Sequence, residues 1–262
     1  MSVVISPKYF HLKEFINRVS CAELHSCNDN CTVLHDGRNS IKLYEVGEEK
    51  IVVKRFGRLS LLNRIIYGRL RKSKARRAFE YAAKLKNLGI ETPEEVAYIE
   101  NRHNGLMCES YYICLYTDYN SMLLFFYKRT LSAVEFEGIT PLLDALAAFL
   151  FKVHEAGVIH NDLNYTNILY KRTDTGSYRF TLIDINRMEF CKHLTLEQRM
   201  HNLRRLNVSI PAHLYILQKY AELMGQKPQT LQMMVLDMRY KFEHKRAKTA
   251  RIKAFLRGQN KN

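Results

Sequence analysis

The chain has 262 residues, is 47% hydrophobic, and sets 41 Lys and Arg against 26 Asp and Glu, for a formal charge of +15. Such length and apolar content fit one large domain or two lobes and exclude fibrous, low-complexity and disordered classes. The charge predicts attraction to phosphate-rich partners: nucleotide, nucleic acid or anionic lipid.

From the start of the chain, Met1 to Lys8 lacks the charged segment and apolar core of a secretory leader. No stretch approaches the ~20 apolar residues that span a bilayer. A cytoplasmic protein is expected, peripheral on the inner face of the cytoplasmic membrane. Leu12, Phe15, Ile16 and Val19 recur at helical spacing, so residues 8–20 read as a short amphipathic helix. Cys21, Cys27 and Cys31, with His25 among them, do not have the paired spacing of a zinc finger, so reduced thiols are expected.

Three strand candidates follow: Thr32 to His35, Ser40 to Val46, and Lys50 to Phe56, joined by the turns at Asp36–Asn39 and Gly47–Glu49. Tight turns between β-rich runs predict an antiparallel meander. Residues 54–79 then carry ten Lys or Arg and no acid, with Leu61, Leu62, Ile65, Ile66 and Tyr67 interleaved. A solvated helix face is one reading; a basic surface for an anionic acceptor is the one favoured by ten unopposed cations. No nucleic-acid motif accompanies the charge, so nucleic acid is not expected as the partner.

Ala75 to Leu88 reads as a helix closed by Gly89 and carrying Glu80. Strands are expected at Val96–Glu100 and Leu106–Tyr116, the latter long, aromatic and central. The remainder reads as mainly helical. Thr140 as cap and Pro141 as first residue predict a buried helix to Ala156, ended by Gly157. Thr195 with Gln198 makes a capping box for a helix through Leu206. Two further helices are expected, Pro211 to Met224 and Pro228 to about Leu256. The tail from residue 239 carries nine Lys or Arg and one acid, Glu243.

Between the last two groups of helices lies Val158-Ile-His-Asn-Asp-Leu-Asn-Tyr-Thr-Asn167, and beyond it Phe180-Thr-Leu-Ile-Asp184. Phosphoryl transfer needs positioning, charge neutralisation and an oriented nucleophile. Asp162 and Asn167 have the separation of a kinase catalytic loop, H-x-D-x4-N. Asp162 would accept the proton of an attacking hydroxyl; Asn167 and Asp184, hard oxygen donors, would hold Mg²⁺. Upstream, Ile51-Val-Val-Lys54 fits a strand lysine on the nucleotide's α- and β-phosphates, with Glu80 as its expected ion-pair partner. Each piece alone is commonplace: an isolated H-x-D means little, and V-V-K is usually half-buried strand. Their order along the chain is what points to a kinase-like fold.

The combination resembles the eukaryotic-like kinase superfamily, and more narrowly the bacterial lipopolysaccharide core kinases, the Kdo/heptose kinase family. Gly37-Arg-Asn39, Val52 to Phe56, Ser73-Lys-Ala75, Glu80, Gly89 to Pro93, Tyr98-Ile-Glu100, His160 to Asn164, Asn167 and Ile183 to Asn186 carry the resemblance. It implies an α+β, bilobal protein-kinase-like fold. Residues 1–118 would be an N-lobe, an antiparallel sheet plus one main helix, that binds ATP. Residues 119–262 would be a mainly helical C-lobe with the catalytic loop and acceptor site. It implies ATP and Mg²⁺, and transfer to a Kdo or heptose hydroxyl of the lipid A–core at an anionic membrane surface. The chain departs from protein kinases in several places. It has no G-x-G-x-x-G, so phosphate contacts would come from backbone N–H groups and from Arg38 or Asn39. Asn161 replaces the usual Arg, Asn164 the usual Lys, and Asp184-Ile-Asn186 stands for D-F-G. A protein kinase, autophosphorylating on one of 16 tyrosines, and a non-catalytic nucleotide- or anion-binding module are the alternatives.

Overall fold

The computed structural model describes residues 1–20, 31–37, 39–57, 60, 64, 66–67, 71–122 and 132–259, with side chains as far as Ile252. Arg38, Cys21, His25 and Cys27, and the interleaved Leu61, Leu62 and Ile65, lie outside the described residues. The chain divides into two units, Met1–Asn120 with Thr181–Met188, and Ser121–Phe180 with Glu189–Asn262. The first boundary falls two residues beyond the expected 118. Thr181–Met188 groups with the first unit because Leu182 is tied into it: its N–H donates to the Glu91 carbonyl at 3.0 Å, and its carbonyl accepts from Thr92 Oγ1 at 2.8 Å.

The first unit is built on an antiparallel sheet of β1 (Ser2–Ile5), β2 (Cys31–His35), β3 (Asn39–Val46), β4 (Glu49–Phe56), β5 (Glu95–His103) and β6 (Leu106–Leu115), in the order β1-β5-β6-β4-β3-β2. The expected meander is β2-β3-β4, and the aromatic β6 is interior as its composition predicts. β1 adds an edge strand to β5, which the reading of the start of the chain does not include. Alternation sorts the faces. Ala97 and Ile99 of β5 and Ile51 and Val53 of β4 join a core with Phe15, Ile16 and Val19 of helix α1 (Lys13–Ser20). Tyr98, between them in sequence, instead meets Phe79 of helix α2 (Lys74–Asn87) edge-on at 5.4 Å. The sheet is therefore covered by α1 on one face and α2 on the other. The first part of the helix expected over 8–20 is instead 3₁₀, Pro7–Leu12. Gly89 ends α2 with φ +67°, the left-handed conformation that glycine adopts without strain.

The chain leaves the first unit at the two-residue strand β7 (Asn120–Ser121). In the second unit, α3 (Ala133–Glu155) starts eight residues before Pro141, where the sequence reading begins it. Ser132 caps it, with Glu135 completing a capping box. Pro141 sits inside the helix and cannot donate to the Glu137 carbonyl. The Thr140 hydroxyl donates to that carbonyl instead, at 2.8 Å, so the acceptor is satisfied and the helix continues. Leu142, Leu143, Leu146, Ala147, Leu150 and Val153 make a buried stripe. After it come β8 (Val158–His160), β9 (Ile168–Arg172), β10 (Tyr178–Leu182, whose end enters the first unit), β11 (Met188–Phe190), α4 (Leu196–Leu203), α5 (Ile210–Met224) and α6 (Pro228–Gln259). Thr195 and Gln198 form the predicted capping box on α4. Among the described residues, no helix is long and apolar enough to cross a membrane.

Candidate active site

In the first unit, β4 carries Lys54 beside Tyr112 of β6 and Ile41 of β3. Its side chain is 16% exposed, and its ammonium donates to Asp184 Oδ1 at 2.7 Å. Asp184 stands just past β10, after the ties at Leu182, with φ 55° and ψ 40°. A left-handed aspartate is uncommon and persists only where its surroundings enforce it. Here Lys54 holds the carboxylate from β4, and Asn186 Nδ2 donates to the same oxygen. Asn186 is 3% exposed. Only its position in Asp184-Ile-Asn186 hinted at this contact.

Glu80 is not the partner of Lys54, contrary to expectation. Its carboxylate accepts from Lys72 Nζ at 2.8 and 2.9 Å and from Arg76 Nε at 2.9 Å. The reason is local: Arg76 lies one turn before Glu80 on α2, the spacing that brings helix side chains together, and Lys72 precedes the helix on the same side. Burial pushes the Glu80 carboxyl up, but the hydrogen bonds from Lys72 and Arg76 outweigh it and hold the group below its usual range. Asn39 opens β3 opposite Phe56. Arg38 lies outside the described residues.

In the second unit, the loop after β8 is organised by its own amides. Asn167 Nδ2 donates to the Asp162 carbonyl at 2.9 Å, and Asn164 Nδ2 donates to it at 3.3 Å. Asn164 Oδ1 in turn accepts from the Thr166 N–H at 2.9 Å, capping the 3₁₀ turn Tyr165–Asn167. Asp162 donates its backbone N–H to His160 Nδ1 at 3.2 Å. The three of these bonds that reach Asp162 use its backbone, not its carboxylate. Asn161 donates to Glu189 Oε1 at 2.7 Å.

The loop is also fixed from behind. Asn202 of α4 donates from Nδ2 to the His160 carbonyl at 2.8 Å, and its Oδ1 faces His154 Nε2 at 3.0 Å. Tyr220 OH lies 2.7 Å from His154 Nδ1 and accepts from Arg199 at 3.4 Å. Because the Asn202 amide nitrogen is committed to His160, its oxygen must accept, so His154 carries its proton on Nε2 and accepts from Tyr220 at Nδ1. Burial pushes the His154 imidazole down to about 4. Nothing in the local sequence marks Asn202 or His154 as loop-holding residues, because each acts on a distant segment.

Asp184 in the first unit and Asn167 in the second each carry a hard oxygen donor of the kind Mg²⁺ takes. Among the described residues, no three His, Cys, Asp or Glu side chains gather as a metal cage.

A sequence profile for the Lipopolysaccharide kinase (Kdo/WaaP) family matches residues 42–226. Among solved structures, one described as WaaP in complex with acyl carrier protein aligns with a TM-score of 0.60 and 16% identity, over 95% of this chain and 99% of that one. A MAP kinase, LmaMPK10 from Leishmania major, aligns with a TM-score of 0.44 and 18% identity, over 79% and 60%. No curated protein matches the chain. The first of the two structural likenesses is one of fold, and that fold is kinase-like.

Proposed function

Because the chain belongs to the lipopolysaccharide kinase (Kdo/WaaP) family, we propose that it transfers the γ-phosphoryl group of ATP to a Kdo or heptose hydroxyl of the lipopolysaccharide inner core. The observation that carries the reading is the 2.7 Å ion pair of Lys54 with Asp184. It sets a phosphate-binding ammonium beside a carboxylate suited to metal, and Asn186 steadies that carboxylate. Asp184 and Asn167 would hold Mg²⁺, which when bound neutralises charge on the β- and γ-phosphates. Lys54 binds the α- and β-phosphates, with Arg38 and Asn39 contributing at the first hairpin. Glu80 acts at one remove, holding Lys72 and Arg76 in place.

Asp162 takes the proton of the acceptor hydroxyl as that oxygen bonds to the γ-phosphorus and the bond to the β–γ bridging oxygen breaks, releasing ADP. The backbone bonds of the loop leave the carboxylate to this role. The first unit would serve the nucleotide and offer its basic segment to the acceptor, and the second would supply the base. The basic segments fit an acceptor rich in phosphate and carboxylate, met at an anionic membrane surface.

The test is incubation of the protein with labelled ATP, Mg²⁺ and purified Kdo–lipid A, followed by mass analysis of the lipid. A phosphate added to the saccharide is expected. ATP binding without transfer to any inner-core acceptor overturns the reading.

A further inference from the structure

Helix α2 begins against the usual rule of charge. The first turn of a helix favours acids, because its free N–H groups and dipole present positive charge. Here that turn holds Lys74, Arg76 and Arg77 and no acid, directly after Arg71 and Lys72. Arg77 is 5% exposed, and its Nε is buried without a hydrogen-bond partner. Its guanidinium carbon lies 5.9 Å from the centre of the ring of Tyr67, a neutral residue that shares a side-chain hydrogen bond with it but brings no counter-charge. Burial and the nearby charge of Arg71 both hold the guanidinium below its usual range. The one acid of the helix, Glu80, is taken by Lys72 and Arg76. Residues 54–79 contain no Asp or Glu, so the adjoining chain supplies no counter-charge. An uncompensated buried cation is strongly destabilising, and the planar N–H fork of an arginine matches the oxygens of a phosphate.

We propose that Arg77 and Arg71, at the start of α2, form a subsite for a phosphate monoester already carried by the acceptor saccharide, distinct from the phosphates of ATP. The proposal rests on the kinase reading, and it names how the acceptor is recognised: the enzyme prefers a sugar that another phosphate-adding reaction has already modified. Arg71 is exposed and Arg77, close enough to feel its charge, is buried, so the anion is met first by an exposed cation and then by a desolvated one.

The experiment compares wild type, Arg71→Gln, Arg77→Gln and Arg77→Lys with a core oligosaccharide carrying its phosphates and with the same oligosaccharide after phosphatase treatment. Direct binding is followed by calorimetry, transfer by steady-state kinetics, and affinity for an ATP analogue separately. Wild type is expected to bind the phosphorylated form more tightly. Loss of a charge-assisted pair should weaken that binding roughly ten- to a hundredfold in the Gln variants, leaving affinity for the dephosphorylated form and for nucleotide within twofold. Arg77→Lys keeps the charge without the fork and should lose part of the preference. Arg71 is exposed, so Arg71→Gln tests the subsite without risk to folding. Equal binding of both saccharides by wild type overturns the proposal. So does a parallel fall in nucleotide affinity, which would assign the anion to ATP. If no acceptor is phosphorylated, the kinase reading fails while the binding arm still decides whether the subsite exists.

Discussion

His154 makes the stability of the second unit sensitive to acid. Its imidazole is 1% exposed and bonded on both sides by neutral groups, Tyr220 and Asn202. Burial lowers it from 6.5 to about 4. Between those two values the unfolded chain binds a proton that the folded chain does not. Stability is therefore fully present above pH ~6.5 and is lost as pH falls toward ~4. At ~1.4 kcal/mol per pH unit, the whole gap is worth about 3 kcal/mol, and about 2 kcal/mol of it is lost by pH 5. His213, also lowered to about 4 by burial with Arg239 beside it, adds to the same trend. The perturbation that isolates His154 is His154→Gln, which cannot take up the proton. At pH 7.5 the variant should be less stable than wild type by roughly 1–3 kcal/mol, from imperfectly replaced buried hydrogen bonds. Between pH 7.5 and pH 5, however, it should lose about 2 kcal/mol less than wild type. Urea unfolding at the two values measures the difference, and His213, present in both proteins, cancels. An NMR titration of the His154 ring gives the direct reading. Equal losses in the two proteins, or a His154 resonance that titrates near 6.5, would refute the reasoning.

Asn202→Ala removes the donor to the His160 carbonyl, two residues before Asp162. Misplacing a catalytic group by about 1 Å can cost on the order of 10² in rate, so kcat should fall ~10- to 100-fold with KM for ATP unchanged; a kcat equal to wild type rules out a positioning role. Lys54→Met should lower nucleotide affinity at least ~10-fold by removing a charged partner of the phosphates, whereas Asp162→Asn should retain affinity and lose ~10²- to 10⁴-fold in turnover; the two are separated by analogue binding and kinetics, and a shared phenotype contradicts the division of roles. Gly157→Ala places a Cβ 1.9 Å from the Cys191 carbonyl oxygen, at a φ of +72°. Since both sides of that clash are backbone, a loss of ~3 kcal/mol or more is expected, and a urea midpoint matching wild type would sink it.

How far the chain could be read from its residues depended on the distance over which each contact acts. The strands β2, β3, β4 and β6 are legible because turn residues bound short β-rich runs. β1 is not, because four residues become a strand only by meeting β5 far along the chain. Pro141 supports two readings, helix start or helix interior. The interior one holds because the Thr140 hydroxyl satisfies the carbonyl that proline strands. The Ser132–Glu135 box was the available signal for the true start. Glu80 shows the same limit at the candidate site. A motif suggests Lys54 as its partner, but Arg76, one turn away, and Lys72 compete for the same carboxylate and are closer in sequence. The spacing of Asp162 and Asn167 is legible because one loop must hold both, and the bond from Asn167 to the Asp162 carbonyl ties that spacing together. The residues that hold the loop are under no such constraint. Asn202 reaches His160 from 42 positions away, and His154 and Tyr220 come from two further helices. A group that touches substrate must sit at a fixed offset from its fellows, so chemistry leaves a pattern in the sequence. A group that only steadies such a residue can come from any element that packs behind it, so its signal appears only once the chain is folded.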